Sequence, residues 1–129
     1  GIYELFPYID VLFMNETEAQ HYGRTPDAME AISRFSELSR IAVAKLGRNG
    51  AAACSKGIVY KAEPYKVVPV DTTGAGDSFN AGFIYGFLNG KTIPECLKLG
   101  NACGALTVTG FPSEKQLKDF LKKQNEIRA

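Results

Sequence analysis

Residues 71–83 read DTTGAGDSFNAGF, and the order of residue types in this stretch decides how the rest of the chain is arranged. Gly74 and Gly76 admit positive φ and close approach by another group, so the turn can aim successive N–H groups into one concavity. Phe79, Phe83, Ile84, Phe87 and Leu88 follow at near-helical spacing, with Ala81, Gly82 and Gly86 on other faces. The segment from Ala75 to about Asn89 therefore reads as a buried helix. Unpaired amides and the positive dipole end at the start of such a helix make an anion cradle of Gly74, Ala75, Gly76 and Asp77. On these grounds Asp77 is either an N-terminal cap or a catalytic base.

Upstream, residues 9–15 (IDVLFMN) form a continuous apolar run closed by a polar residue, the pattern of a strand buried on both faces of a parallel sheet. Asn15 can cap a short helix there, with Glu18 reaching back from the third position as in a capping box. Thr25 and Pro26 start a second helix, with Ala28, Ile32, Phe35 and Leu38 along its apolar side. Residues 40–47 (RIAVAKLG) read as a second strand ending in a glycine turn. Residues 51–57 and 57–70 read as strands joined near Lys56 and Gly57, with Pro64 and Pro69 keeping the later one from a central position. From Ala75 onward every segment reads as helical: the helix already noted, one from Thr92 with Glu95 as its capping-box partner, and one from Ser113 with Gln116.

Strand, helix, strand, hairpin and three helices in that order imply an α/β protein with helices layered on a mostly parallel sheet. No repeat, low-complexity tract or linker interrupts the chain, so residues 1–129 read as a single domain. Asn15, Gly47 and Gly74 each follow an apparent strand. Open α/β sheets bind ligands beyond the carboxyl ends of their strands, so these three groups are expected to converge on one rim.

At 129 residues, 45% hydrophobic and 22% charged, the chain suits a globular domain with a moderate core. A net charge of +1, with no basic run beyond Lys122 and Lys123, gives no footprint for nucleic acid or an anionic membrane surface. The longest apolar stretch, residues 79–88, is too short to span a bilayer and no charged-then-apolar leader opens the chain, so a cytoplasmic protein is expected. Cys54, Cys96 and Cys103 lack C-x-x-C spacing and His21 is the one histidine, which argues against zinc and disulfide frameworks and for three packed thiols. An opening at Gly1 with no methionine is expected of a processed or truncated piece.

The glycine loop is not a dinucleotide fingerprint, because G-x-G-x-x-G needs glycine where Phe79 stands, and it lacks the P-loop lysine. DTTGAGDSF instead closely resembles the second signature of the ribokinase-like (PfkB) carbohydrate kinases, D-T-x-G-A-G-D-x-F. That resemblance implies a three-layer α/β/α, Rossmann-like fold and ATP-dependent phosphoryl transfer to a sugar hydroxyl. Asp77 would be the general base, and the amides of Gly74, Ala75, Gly76 and Asp77 the anion hole for the transferred phosphoryl group. NETE at residues 15–18 resembles the family's N-x-x-E motif, which places Asn15 near the ATP phosphates and Glu18 on magnesium through water.

KLGRNGA at residues 45–51 resembles the T-x-G-x-x-G turn beneath the nucleotide, bringing Gly47, Arg48 and Gly50 into the ATP site. Lys45 replaces the usual threonine and would offer a point charge instead of a hydroxyl. Asn101 stands at the matching distance after the base, in the helix bordering the adenine pocket, where Gly100, Cys103 and Gly104 leave room for a flat ring or for a neighbouring helix. Asp71 and Thr73, with backbone near Thr107 and Gly110, match the region where many members bind a monovalent cation such as potassium.

The resemblance spans essentially the whole chain but only the C-terminal, nucleotide-binding part of the family fold. The sugar-binding half and the small β lid, through which a homo-oligomer would assemble, are expected to be missing, and the chain alone is expected to be inactive. Two other readings stand beside a sugar kinase using ATP and magnesium. One is a nucleoside or hydroxymethylpyrimidine-type kinase of the same fold, which Thr73 in place of asparagine before G-A-G-D modestly disfavours. The other is a nucleotide-binding module without catalysis.

Overall fold

Strands covered on both faces need side chains that pack flat, and residues 41–45 (IAVAK) and 51–55 (AAACS) are small or β-branched almost throughout. In the computed structural model, which describes residues 2–67, 73–109 and 122, these two segments are the buried centre of a four-stranded sheet. The chain divides into two compact units, Gly1–Pro64 and Tyr65–Ala129.

The first unit opens with a 3-10 helix, Ile2–Tyr8, followed by β1 (Val11–Asn15), α1 (Glu16–Gly23), α2 (Ala28–Phe35) and β2 (Ile41–Lys45). A 3-10 turn at Gly47–Asn49 leads to β3 (Ala51–Ser55), and β4 (Ile58–Ala62) follows. The sheet order is β1-β2-β3-β4. β1 and β2 are parallel, in register from Val11 opposite Ile41 to Asn15 opposite Lys45, whereas β2 with β3 and β3 with β4 are antiparallel. Among the described residues the sheet is therefore mixed, not mostly parallel. A parallel pair needs a crossover, which α1 and α2 supply between β1 and β2; the short linkers 46–50 and 56–57 permit only hairpins.

Ala42, Ala44, Ala52 and Cys54 present one face of the sheet to a core shared with Met14, Ala19, Ala31, Ile32 and Phe35, the alternation expected of strands. Phe6 of the 3-10 helix joins it, its ring 5.9 Å from that of Phe35. α2 begins later than Thr25 and Pro26 suggest, because Asp27 is its N-cap and accepts from the Met29 amide at 2.9 Å. The Thr25 hydroxyl is engaged with the Glu30 carboxylate at 2.9 Å and accepts from the Asp27 amide. Leu38 lies past the C-cap Ser36 and is exposed. β4 ends at Ala62, residues 63–67 are neither strand nor helix, and residues 68–72 lie outside the described residues, so the extended segment expected over 57–70 is present only in its first part.

The second unit pairs α3 (Ala75–Leu88) with α4 (Ile93–Val108). α4 starts with the expected capping box: Thr92 Oγ1 accepts from the Glu95 amide at 3.3 Å and the Glu95 carboxylate accepts from the Thr92 amide at 3.1 Å. The bond from the Thr92 amide, and after it one from the Thr92 hydroxyl at 2.9 Å, hold the Glu95 carboxyl below its ordinary range.

Glycines bring the two helices together. A Cβ at Gly82 would stand 2.6 Å from the Leu99 carbonyl oxygen, and one at Gly86 2.9 Å from Leu99 Cδ1. α3 is not buried all round: Phe79, Gly82, Phe83 and Gly86 are buried, whereas Ile84, Tyr85 and Leu88 are exposed, since they fall on the opposite side of the helix from the glycine seam. The helix expected from Ser113 lies outside the described residues. All three cysteines are free thiols, Cys54 and Cys96 buried and Cys103 half-buried. No helix among the described residues is long and apolar enough to cross a membrane.

Candidate functional site

In the first unit the expected site residues gather at one end of the sheet. Asn15 and Lys45 are register partners at the last positions of the parallel strands β1 and β2. Asn15 also caps α1: its Oδ1 accepts from the Glu18 amide at 2.7 Å, and Glu18 Oε1 accepts from the Asn15 amide at 2.9 Å. With Oδ1 committed, the group of Asn15 left for a ligand is its Nδ2 amide, a donor suited to phosphate. Glu18 is exposed, with one carboxylate oxygen held by the main chain.

Beyond Lys45 the chain turns through Gly47–Asn49, closed by the Leu46 amide donating to the Gly50 carbonyl at 2.8 Å. The amides of Asn49 and Gly50 are used inside the turn, while those of Gly47 and Arg48 find no partner among the described residues. The two glycines differ in purpose. At Gly47 (φ 58°) a Cβ would meet open space, but at Gly50 (φ 86°) it would stand 2.2 Å from the Ala62 carbonyl oxygen. Gly50 is thus required by the passage of the chain past the end of β4, whatever else it does. A shallow depression of this unit is lined by Met29, Leu46, Asn49, Ala51, Lys61, Ala62 and Glu63; none of the expected site residues lines it.

In the second unit, Gly74 is the N-cap of α3, in the left-handed region (φ 79°), and makes no side-chain cap. Asp77 lies in the first turn and is exposed, while the N-cap position itself is held by Gly74. The amides of Ala75, Gly76 and Asp77 belong to the turn that a helix leaves without internal acceptors; the Ser78 amide is the first to close it, donating to the Gly74 carbonyl at 3.0 Å.

Asn101 is on α4 and half-buried. The space beside it at Gly100 is filled, because a Cβ there would lie 2.7 Å from the Phe79 ring, and a Cβ at Gly104 would lie 3.4 Å from the Ala75 carbonyl oxygen. The small-residue face of α4 lies against α3 at these two positions. Thr73 is exposed, and Asp71 and Gly110 lie outside the described residues. Sequence reasoning missed the contact between Ser78 and Thr107, whose hydroxyl oxygens are 2.6 Å apart; nothing local in the sequence links positions so far apart in the chain.

Among the described residues no three His, Cys, Asp or Glu side chains cluster so as to hold a metal. A magnesium ion here would draw most of its oxygen ligands from phosphate and water, which fits a site contributed by a single exposed carboxylate.

Comparison with known proteins gives a consistent picture. A family model described as pfkB family carbohydrate kinase matches residues 1–115. An uncharacterized sugar kinase of Archaeoglobus fulgidus is 39% identical over 92 residues, covering 70% of this chain and 37% of that protein. Among solved structures, a probable sugar kinase from Rhizobium etli superposes with a TM-score of 0.86 at 29% identity, covering 96% of this chain and 39% of the other. Arabidopsis thaliana ribokinase, solved with ribose and ATP, gives a TM-score of 0.84 at 30% identity, covering 93% of this chain and 43% of the other. The chain thus spans less than half the length of each of these proteins.

Proposed function

Because this chain belongs to the PfkB family of carbohydrate kinases, we propose that it carries the nucleotide-binding and general-base portion of an enzyme that transfers the γ-phosphoryl group of ATP to a sugar hydroxyl. The observation that supports this most is the first turn of α3, where Gly74 leaves the helix start without a side-chain cap and Asp77 stands exposed in the same turn. Free amides at a helix start stabilise negative charge, and a carboxylate beside them can take a proton from an attacking hydroxyl. The relative solved with ribose and ATP binds the two reactants such a reaction needs.

Asn15 through Nδ2, Lys45 as a point charge, and the Gly47 and Arg48 amides serve the ATP phosphates; Asn101 serves the base. Glu18 orients water around a magnesium ion, which supplies neutralisation of phosphate charge when bound. Asp71 and Thr73 belong to a monovalent-cation site, a suggestion encouraged by a Vibrio cholerae fructokinase variant solved with fructose, ADP and potassium. Recognition of the sugar and exclusion of water fall to parts of the longer relatives that this chain does not span, so the chain by itself binds nucleotide and does not turn over.

The deciding assay measures phosphoryl transfer from ATP to a panel of pentoses and hexoses by the protein at the full length of its relatives. Transfer that Asp77→Asn abolishes supports the proposal. ATP binding with no transfer to any sugar or nucleoside supports a non-catalytic module instead.

A further inference from the structure

The Ser78 and Thr107 hydroxyl oxygens lie 2.6 Å apart, and Thr107 Oγ1 is also 2.9 Å from the Cys103 carbonyl oxygen. A carbonyl only accepts, so the single Thr107 proton goes to Cys103 and the proton between the two hydroxyls is that of Ser78. The Ser78 amide meanwhile donates to the Gly74 carbonyl at 3.0 Å. One residue therefore ties the first turn of α3 to itself through the main chain and to α4 through the side chain. α4 runs close to the same turn, since a Cβ at Gly104 would stand 3.4 Å from the Ala75 carbonyl oxygen. No side chain caps the turn at Gly74, so its placement depends on what holds it from α4.

From these contacts we infer that Ser78 and Thr107 are positioning residues, which fix the first turn of α3, and with it the Asp77 carboxylate and the neighbouring amides, against α4. The inference rests on the role proposed for Asp77. Both hydroxyls are half-buried, so water competes poorly for the bond and its loss leaves a hydroxyl underused. Neither side chain touches the reacting atoms. They act through a turn whose displacement by a fraction of an ångström misaligns base and acceptor, and phosphoryl transfer depends mainly on such alignment.

The test compares Thr107→Val, Thr107→Ser, Ser78→Ala and the Ser78→Ala/Thr107→Val double variant in the protein at the full length of its relatives. It reads kcat, KM for ATP and hydrogen exchange of the Ser78 amide. Thr107→Val is expected to lower kcat roughly tenfold with KM for ATP within about twofold, and to speed exchange at Ser78. Thr107→Ser restores both, and the double variant is no worse than either single one, because all break the same bond. Should Thr107→Val fail to fold, Ser78→Ala removes the same bond from the smaller side chain and carries both readouts. Unchanged exchange overturns the inference. So does faster exchange with unchanged kcat, which would leave a merely structural contact, or a loss confined to KM. If the unaltered protein transfers no phosphate at all, the reading of Asp77 fails separately, and exchange at Ser78 still decides whether the pair holds the turn.

Discussion

Asn15 and Glu18 hold each other by reciprocal hydrogen bonds between side chain and main chain, 2.7 Å in one direction and 2.9 Å in the other. One carboxylate oxygen of Glu18 is thereby committed to the start of α1, which suits a carboxylate acting on a cation through water more than one that ligates it directly.

Glu18→Gln separates the two duties. The amide oxygen of glutamine still accepts from the Asn15 amide, so the cap survives and Tm should move little. The charge is gone, and the magnesium concentration for half-maximal activity should rise several-fold, with activity recovered at high magnesium. Titrating activity with magnesium checks this; a fall in Tm with unchanged magnesium dependence assigns Glu18 to capping alone.

Asp77→Asn keeps the shape of the first turn of α3 and removes the group proposed to take the proton. Turnover should fall by about 10²–10⁴-fold, the usual worth of a general base, with ATP affinity nearly unchanged. Steady-state kinetics together with calorimetric titration of ATP measure the two effects separately, and undiminished turnover would remove Asp77 from the chemistry.

Alanine at the two glycines of the 46–50 turn should have unequal costs. Gly47→Ala meets open space and suffers only its left-handed backbone, about 1–2 kcal/mol. Gly50→Ala adds a collision with the Ala62 carbonyl and should cost well over ~3 kcal/mol. Urea unfolding ranks them. Equal costs, or a Gly50→Ala loss seen only in ATP affinity, would contradict the structural role given to Gly50.

The features read correctly from sequence were those whose causes are local. Asn15 with Glu18 and Thr92 with Glu95 lie three residues apart and complete their bonds within one turn, and the Lys56-Gly57 turn needs only its own backbone. What was hidden depends on partners remote in the chain. Strand direction in β2 and β3 follows from linker length and not from apolar pattern. Gly100 and Gly104 of α4 leave room for a flat ring or a neighbouring helix in the sequence, and only the fold puts the Phe79 ring of α3 against Gly100. α2 starts at Asp27 and not at Thr25 and Pro26, because the Asp27 carboxylate accepts from the Met29 amide while the Thr25 hydroxyl accepts from the amide of Asp27 itself. The start of α3 was legible because its motif is contiguous, whereas its brace at Thr107 was not.

The cysteines make a prediction about alkaline pH. Desolvation pushes the Cys96 and Cys103 thiols up, with the Glu95 charge adding to the effect at Cys96. A raised native value means the folded state keeps a proton that the unfolded chain releases. The resulting stabilisation is complete below the ordinary thiol range and is lost as pH rises from about 8.5 through the raised values. Urea midpoints should decline over that window, less steeply in Cys96→Ala, and iodoacetamide should label the native thiols far more slowly than the unfolded ones.

In the first unit the order of strands across the sheet is also their order along the chain. Each strand finds its neighbour by closing the shortest loop open to it, the longest such closure being the one bridged by α1 and α2, and no pairing has to wait for a distant one. Assembly of this sheet can therefore proceed as the chain leaves the ribosome, β2, β3 and β4 zipping successively onto what has already emerged. Among the described residues β1 and β4 each have one strand neighbour in the sheet. The same local wiring makes the sheet quick to form, with no strand waiting on a partner that has yet to be made.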